Sequence, residues 1–354
     1  MFSSFFASDL TLRSALAAIT GFLACLLAGP AVIRFLTRLK IRERADKKDS
    51  AVLVEMHKGK VLTPTMGGAF VLGAILLATV LFAKLDNPYV LVAMAVTVAL
   101  GGAGFLDDWV KLTSPTKHGI SGRLKLALQG VVGLGAGAAL YWATREHTPH
   151  ATNLFIPVVR ENVDLGIWFI PFVAVVITAS SNSVNLTDGL DGLAIGCLTV
   201  ASLAYAVFTY IAGRSDWTLK YLHVPYVPGC GELTIVTLAM AGAGLGFLWY
   251  NGYPAQVFMG NTGSLPLGGL LGVVAICAKQ ELLLFVVGFI FVAEALSVLI
   301  QVVSFKTTGK RVFRCAPIHH HFQFMEIPES KITVRFWIVS ALLAVASLAT
   351  LKVG

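Results

Sequence analysis

Long apolar segments separated by short polar ones are the dominant pattern of this sequence. Ten such segments recur, and most are long enough to cross a hydrocarbon core of about 30 Å as a helix. Inside lipid the backbone must satisfy its own hydrogen bonds, which favours helices, and no segment shows the alternation of a membrane barrel strand. The predicted spans are 11–36, 66–83, 88–106, 126–142, 165–184, 190–212, 233–250, 265–278, 282–305 and 332–351.

This pattern predicts an all-α polytopic membrane protein that forms a single domain over residues 1–354. The first apolar segment is too long and too poorly flanked for a cleaved signal peptide, so it is expected to remain as helix one. The eighth segment is short for a full crossing, which indicates that it is tilted or partly buried in protein. Composition agrees, because only 13% of the residues are charged and the mean hydropathy is +0.78.

The distribution of positive charge predicts how the helices are oriented. Most of the 27 Lys and Arg residues fall between spans one and two, three and four, and nine and ten. Positive charge is retained on the cytoplasmic side, so both termini are expected to be extracytoplasmic and five loops cytoplasmic. Topology alone explains most of these charges, and a minority could meet anionic substrates or lipid headgroups.

The cysteines and one acid inside a span have structural interpretations. The five cysteines are scattered without metal-ligand spacing, which disfavours a zinc or disulfide framework. Glu294 lies in the middle of the ninth span, where an acidic side chain costs about 2.5 to 3.5 kcal/mol on insertion scales. It should therefore face protein or water, and a structural pairing is favoured over a catalytic role.

Polar motifs fall on the five predicted cytoplasmic loops, whereas the outward loops have no comparable cluster. In the first, residues 60–68, Pro64 and two glycines break the chain and let the backbone approach a ligand. The second is Asp107 and Asp108, predicted at the C-terminus of helix three. Acids there oppose the macrodipole, so a purely stabilising role is disfavoured, although a solvated helix end stays open. Adjacent helical carboxylates diverge by about 100°, so the two are expected to differ in function.

The third and fourth motifs carry acids, amides and aromatic rings. The third, residues 185–192, is a very short link in which Asp188 is expected to cap helix six, with Asp191 close to the same face. Capping explains one acid, but two acids and Asn185 at the membrane surface indicate a divalent cation or a nucleotide. The fourth, residues 251–264, has no Lys or Arg. It could bind a flat base by stacking, or it could be a plain turn-rich connection.

The fifth motif, residues 316–321, ends in three consecutive histidines preceded by Arg311 and Arg314. Consecutive side chains point in different directions, so phosphate binding fits better than a three-ligand metal site. Together the five loops offer carboxylates for Mg²⁺, cations for phosphates and an aromatic ring for a base. That inventory is typical of phosphoryl transfer, in which positioning and charge neutralisation do most of the work. Mg²⁺ needs only a few protein oxygens beside the substrate phosphates.

The motifs TPTMGG, DDW, NLTDGLDG, YPAQVFMG and APIHHH occur in this order and are separated by these helices. In that combination, from about Arg34 to the C-terminus, the chain resembles the phospho-N-acetylmuramoyl-pentapeptide transferase (MraY translocase) family. This family belongs to the polyprenyl-phosphate N-acetylhexosamine-1-phosphate transferase superfamily. The resemblance implies ten helices, a homodimer, and a cytoplasm-facing site in the bacterial inner membrane.

The resemblance also implies a reaction. It is the Mg²⁺-dependent transfer of phospho-MurNAc-pentapeptide from UDP-MurNAc-pentapeptide to undecaprenyl phosphate, which gives lipid I and UMP. Membrane lipids are expected as further partners, and nucleic acid is not. Asp107 matches the family acid proposed to deprotonate the lipid phosphate, with Asp108 beside it, and Asp188 belongs to the catalytic cluster. Positions matching the substrate pocket or its edge are Lys60, Thr65, Lys111, Asn185, Asp191, Asn251, Phe258, His319, His320 and His321.

One position departs from the family pattern. Where the family has an acid assigned to Mg²⁺, this chain has Asn261, which would share the metal with Asp107 and Asp108. An amide oxygen can coordinate a cation, but it brings no charge and cannot act as a carboxylate nucleophile. A single displacement is therefore expected, with lowered metal affinity and compensation from Asp107, Asp108 or Asp188.

Three alternatives to an active muramoyl-pentapeptide transferase stay open. Asn261 could mark a catalytically impaired variant. A sister enzyme would transfer GlcNAc-1-phosphate to the same lipid, although APIHHH and YPAQVFMG favour the muramoyl member. A transporter or scaffold would need charged or broken helices near the bilayer midplane and an inverted repeat, and the sequence shows no such repeat.

Overall fold

The computed structural model describes residues 9–39, 41, 63–114, 119–146, 148, 151–157, 159, 161–218, 222 and 224–352. Lys60, which was predicted to bind substrate, lies outside these residues. The described chain forms a helical bundle. Its long helices are α1 (Leu10–Arg38), α2 (Gly68–Phe82), α3 (Pro88–Thr113), α4 (Gly122–Thr144), α5 (Phe169–Thr187), α6 (Leu193–Ala212), α7 (Leu233–Asn251), α8 (Asn261–Cys277), α9 (Phe289–Thr308) and α10 (Glu329–Ala349).

These helices correspond one to one with the predicted spans, which confirms an all-α polytopic membrane protein. Among the described residues, eight helices are long and apolar enough to cross a membrane, and α2 and α8 are shorter apolar helices. Every residue of α8 from Thr262 to Cys277 is buried, and the helix lies against α3 and α5. Of the two expectations for the eighth span, a tilt or partial burial in protein, burial is therefore confirmed.

Short elements occupy links that the sequence pattern left as loops. Strand β1 (Asn153–Ile156) pairs antiparallel with β2 (Glu161–Asp164) between α4 and α5. One-turn elements precede or follow several long helices: Gly166–Trp168, Ser215–Thr218, Cys230–Glu232, Leu284–Val287 and Ile318–Gln323. All five cysteines are free, and four of them are buried.

Helix α3 is longer than the hydropathy predicted. It was expected to end at residue 106, but it continues to Thr113, so Asp107 and Asp108 lie inside it. The placement of these acids at a helix C-terminus is wrong, and the macrodipole argument built on it no longer applies. Hydropathy falls at Asp107, yet the helical turn is supported by the Asp107–Lys111 ion pair at i,i+4 spacing, whose N–O distance is 2.7 Å.

A close approach of two helices places the acidic residues. Gly104 of α3 lies against the first turn of α8, where a Cβ atom would collide with the backbone of Asn261 and Thr262. The missing side chain lets the two helices touch. Asp107 and Asp108, one turn further along α3, consequently lie at the N-terminus of α8.

Candidate active site

The ends of four helices meet around Asp107. The last two turns of α3, the start of α4, the end of α5 and the start of α8 lie together, and α8 contacts both α3 and α5. This end of the bundle gathers five of the predicted site residues and holds them in one hydrogen-bond network. They are Asp107, Asp108, Lys111, Asn185 and Asn261.

Asp107 is a buried carboxylate surrounded by donors. Its Oδ1 accepts from the Ile120 backbone amide at 2.9 Å, and its Oδ2 accepts from Asn261 Nδ2 and lies 2.7 Å from Lys111 Nζ. The Asp107 side chain is 4% exposed, whereas that of Lys111 is 40% exposed. These donors stabilise the charged carboxylate. An anionic ligand can reach the half-exposed Lys111 and, through it, Asp107.

Asp108 has different partners, as the divergence of the two side chains predicted. Its Oδ2 accepts from the backbone amide and from the hydroxyl of Thr262, each at 2.8 Å. A carboxylate in this position satisfies an open amide in the first turn of α8 and complements the positive end of that helix dipole. A Cβ atom at Gly260 would lie 2.7 Å from Asp108 Oδ2 and 3.0 Å from Thr65 Oγ1, so Thr65 borders the same spot.

A chain of side-chain hydrogen bonds links a lysine to Asp107. Lys125 Nζ donates to Asn185 Oδ1 at 3.2 Å, Asn185 Nδ2 donates to Asn261 Oδ1 at 2.6 Å, and Asn261 Nδ2 donates to Asp107 Oδ2. An ammonium can only donate and a carboxylate can only accept, so the two ends dictate how both amides point. The Asn261 oxygen therefore faces Asn185, and its nitrogen faces the carboxylate. Sequence reasoning counted Lys125 only as a topology charge and missed this role.

Asp188 does not cap α6, contrary to the prediction. It is the C-cap residue directly after α5, and it is partly exposed. Helix α6 begins at Leu193, preceded by Gly192 with φ +72° and without any side-chain cap. A link that ends in this left-handed residue separates Asp188 from the first turn of α6. The prediction failed because sequence spacing alone did not show how many residues the link needs.

Asp191 and Asn251 hold protein backbone in this structure. Asp191 Oδ2 accepts from the Ala255 amide at 3.0 Å, so it ties the link before α6 to the loop after α7. Asn251 Oδ1 accepts from the Gly192 amide at 3.1 Å, and its Nδ2 donates to Val257 O at 2.8 Å. Both side chains are buried. Their geometry supports bracing of the site, and their predicted contact with substrate stays a prediction.

Phe258 lies where two segments pair. Its amide donates to Pro64 O, and its carbonyl accepts from the Gly67 amide, each at 2.8 Å. This pairing joins the loop after α7 to the chain entering α2, and so positions Thr65 beside Gly260. The Phe258 side chain is partly exposed, as a ring that stacks on a base would need to be.

The three histidines have three different partners, which agrees with the expectation that consecutive side chains point in different directions. His319 Nδ1 lies 3.0 Å from Glu294 Oε2, His320 Nδ1 lies 2.7 Å from Gln323 Oε1, and His321 Nδ1 accepts from the Arg314 amide at 3.1 Å. His319 and Glu294 are both fully buried, which confirms the predicted structural pairing of Glu294. None of these contacts joins the histidines to the hydrogen-bond network around Asp107.

Comparison with known proteins decides the family. A family model described as glycosyl transferase family 4 matches residues 89–279. Proteins of Citrifermentans bemidjiense and Pelobacter propionicus are 48% and 47% identical to the chain, and one of Desulforapulum autotrophicum is 46% identical. Each alignment covers 97% of this chain and 94% of the relative, and all three relatives are named phospho-N-acetylmuramoyl-pentapeptide-transferase. The chain belongs to this transferase family.

Membership in the transferase family makes the chain an enzyme that transfers a phosphosugar and confirms the resemblance carried by the five motifs. The segment matched by the family model contains Asp107, Asp108, Asp188 and Asn261. The histidines, Glu294 and the whole of α10 lie beyond it. The acids of the transferase site, and the braces Asp191 and Asn251, therefore all lie in the matched segment.

The transferase site offers few protein ligands for a metal. Among the residues that the structure describes, no three His, Cys, Asp or Glu side chains lie close enough together to hold a metal ion. Asp108 Oδ2 already accepts hydrogen bonds from Thr262, and Asp108 Oδ1 lies 3.6 Å from Lys111 Nζ. A cation at this site would depend on Asp107, on an amide oxygen and on oxygens of a bound substrate.

Proposed function

We propose that this transferase moves phospho-MurNAc-pentapeptide from UDP-MurNAc-pentapeptide to undecaprenyl phosphate, giving lipid I and UMP in peptidoglycan synthesis. The shared name of the relatives supports the donor, and a site at the ends of membrane helices suits a lipid acceptor. The observation that carries the proposal is the buried Asp107 with Lys111 and the Lys125 amide chain at one end of the bundle. An acid and two lysines there can accept a proton and neutralise phosphates.

The same proposal includes the setting of the enzyme. This end of the bundle faces the cytoplasm of a bacterium, with the helices in its inner membrane and both termini outside. Residues 1–354 act as a single domain, and the enzyme works as a homodimer. The basic loops beside α1, α4 and α9 support this orientation, because positive charge is retained on the cytoplasmic side.

The reaction we propose is a single displacement. An oxygen of the lipid phosphate attacks the β-phosphorus of the nucleotide-linked sugar, the bond from that phosphorus to the bridging oxygen breaks, and UMP leaves. The proton of the lipid phosphate passes to Asp107. Asn261 cannot supply a carboxylate nucleophile, so no enzyme-bound phosphosugar forms there. Lys111 and Lys125 neutralise the phosphate oxygens as charge shifts toward UMP.

Mg²⁺ fits this site through Asp107 and Asn261, which offer the hard oxygen ligands that the ion prefers. When bound, the ion would supply neutralisation of the charge on the transferred and leaving phosphates. The orientation of the Asn261 amide is unfavourable for binding the ion, because its oxygen faces Asn185 and its nitrogen faces Asp107. The amide must turn before its oxygen can coordinate, and it brings no charge, so we propose a lower Mg²⁺ affinity than a carboxylate at 261 would give.

The variant Asn261→Asp tests the metal and the function together. It places a second carboxylate against Asp107, and two like charges at hydrogen-bond distance repel unless a cation lies between them. We expect Mg²⁺ to raise the melting temperature of the variant more than that of the unaltered chain. Activity is followed as UMP release and lipid I formation in nanodiscs, with Mg²⁺ titrated and UDP-GlcNAc as the control donor.

The outcomes separate the interpretations. Lipid I from the unaltered chain, with half-saturation at higher Mg²⁺ than in Asn261→Asp, supports the whole proposal. Turnover by the variant alone shows that this chain is an impaired member of the family. Equal turnover with UDP-GlcNAc contradicts the donor assignment, and absence of turnover from both proteins contradicts the proposed reaction.

A further inference from the structure

Three side chains of α10 hold the link between α5 and α6. Glu329 Oε1 accepts from the Asp191 amide at 2.8 Å, Thr333 Oγ1 donates to Asp191 O at 3.2 Å, and Trp337 Nε1 donates to Gly192 O at 3.1 Å. They stand four residues apart, so they form a single stripe along the helix. One face of α10 thus forms hydrogen bonds with the backbone of this link.

The link depends on these side chains because it has little regular structure. The Asp191 amide and carbonyl are bonded by Glu329 and Thr333, and the Gly192 amide is bonded by Asn251. Buried backbone groups need partners, and here the partners come from distant side chains. Removing one of them leaves a peptide group unsatisfied and frees the link to move.

Close packing fixes the same link from two sides. A Cβ atom at Gly196, on the first turn of α6, would collide with the Trp337 indole, so the ring fills the space of a missing side chain. A Cβ atom at Gly189 would likewise collide with the His319 imidazole, which Glu294 holds at 3.0 Å. Gly189 follows Asp188 directly, so these contacts bear on the orientation of that acid.

We propose that the stripe Glu329, Thr333 and Trp337 is a clamp that sets the position of Asp188, and that Glu329 and Trp337 are positioning residues for the transfer reaction. The assignment rests on the proposed function, in which Asp188 belongs to the catalytic cluster. The clamp lies beyond residues 89–279, the segment that the family model matches. The acids and the helix that aligns one of them therefore come from different parts of the chain.

Trp337→Phe removes the indole N–H and keeps an aromatic ring against α6. A single hydrogen bond of this kind corresponds to about a two- to tenfold effect. We expect kcat to fall by that factor, while KM for the nucleotide substrate stays within about twofold, because Trp337 donates to the Gly192 carbonyl and not to a side chain predicted to bind substrate. Trp249→Phe is the matched control, since Trp249 is an exposed tryptophan on α7 without a role in the clamp, and its replacement should leave kcat unchanged.

Glu329→Ala removes the carboxylate, and Glu329→Gln restores an acceptor oxygen. A hydrogen bond to a charged group corresponds to about tenfold or more, so Glu329→Ala should lower kcat further than Trp337→Phe. Glu329→Gln should recover most of the loss, which a purely electrostatic role would not allow. Ser330→Ala, an exposed change on the same helical turn, serves as the control.

Hydrogen exchange tests the clamp without catalysis. We expect the amides of residues 188–192 to exchange faster in Glu329→Ala and Trp337→Phe than in the unaltered chain or the controls. If neither exchange nor kcat changes in these variants, or if kcat falls only with the folded fraction, the clamp is contradicted. If the unaltered chain makes no lipid-linked product, the proposed function fails, and the exchange data still decide whether α10 holds the link.

Discussion

The two ends of the helical bundle both contain buried charge, but they hold it in different ways. At the end that carries Asp107, the acid is bonded to a half-exposed lysine and to two amides in series. At the opposite end, Arg13 lies fully buried and forms two hydrogen bonds to Glu232, at 2.7 and 2.9 Å. In the first arrangement the exposed part of Lys111 is open to another anion. The second arrangement is closed, because Arg13 and Glu232 are both buried and bonded to each other.

The closed arrangement joins three helices. Arg13 of α1 also donates to Phe82 O at the end of α2, and Glu232 precedes α7 and accepts from the Lys84 amide. Every one of these contacts is to protein, and none leaves an exposed charge for a ligand. The comparison indicates that buried charge at one end stabilises the bundle, and that charge at the other end is kept accessible for chemistry.

The largest expected effect is on catalysis at the Asp107 end. Asp107→Asn keeps the shape and a hydrogen bond to Asn261 but removes the proton acceptor and the negative charge. Loss of a general base lowers turnover by about 10² to 10⁴-fold. The assay is lipid I formation, in the unaltered or the Asn261→Asp background, whichever is active. Asp86→Asn changes an exposed acid at the opposite end and should have no effect; more than a tenth of full activity in Asp107→Asn would argue against the base.

The next effect is on stability at the opposite end. Arg13→Leu leaves Glu232 buried without its partner, and breaking a buried pair in this way costs about 3 to 5 kcal/mol. Arg145→Leu breaks the exposed Arg145–Glu146 pair, whose N–O distance is 3.5 Å, and should cost at most about 1 kcal/mol. Unfolding in mixed micelles measures both. Equal losses in the two variants would remove the distinction between a closed and an accessible arrangement.

Most of the helices were predictable from sequence because an apolar segment that crosses the bilayer must cover the hydrocarbon thickness. The last two turns of α3 show where this reasoning stops. Hydropathy falls at Asp107, but the Asp107–Lys111 pair and the contact of Gly104 with α8 keep the chain helical as far as Thr113. A hydropathy pattern reports burial in lipid and does not report these interactions within the protein.

The sequence predicted which loops contribute residues to the site, but not the hydrogen bonds that connect those residues. Clustering of acids and amides on one face identified Asp107, Asn185 and Asn261 without showing that they are hydrogen-bonded. Asp108 contacts Thr262 across a separation of 154 residues, and Trp337 contacts Gly192 across 145. Pairings at such separations depend on how the helices pack, so local pattern could suggest which residues matter but not which of them brace the others.

The smallest expected effect is a pH dependence of stability at the opposite end. Glu281 lies between α8 and α9, and among the described residues neither of its buried carboxylate oxygens has a hydrogen-bond partner. Burial raises the pKa of Glu281 to about 7, and the charge of Lys279 only partly offsets this. The folded protein thus retains a proton that the unfolded chain releases at lower pH.

The sign of this dependence follows from the raised pKa. A carboxyl group whose pKa is higher in the folded state contributes its stability at low pH and loses it as pH rises toward 7. The slope is at most about 1.4 kcal/mol per pH unit for one proton. Unfolding measured between pH 5 and 8 should show stability falling in the unaltered chain and a flatter curve in Glu281→Gln. Lys279 and Tyr205 face the same carboxyl group and stay unchanged in both proteins. If stability depends on pH equally in the unaltered chain and in Glu281→Gln, the pKa of Glu281 is not raised by folding. Glu281 would then be ionised and in contact with water, which contradicts a closed arrangement of charge at this end.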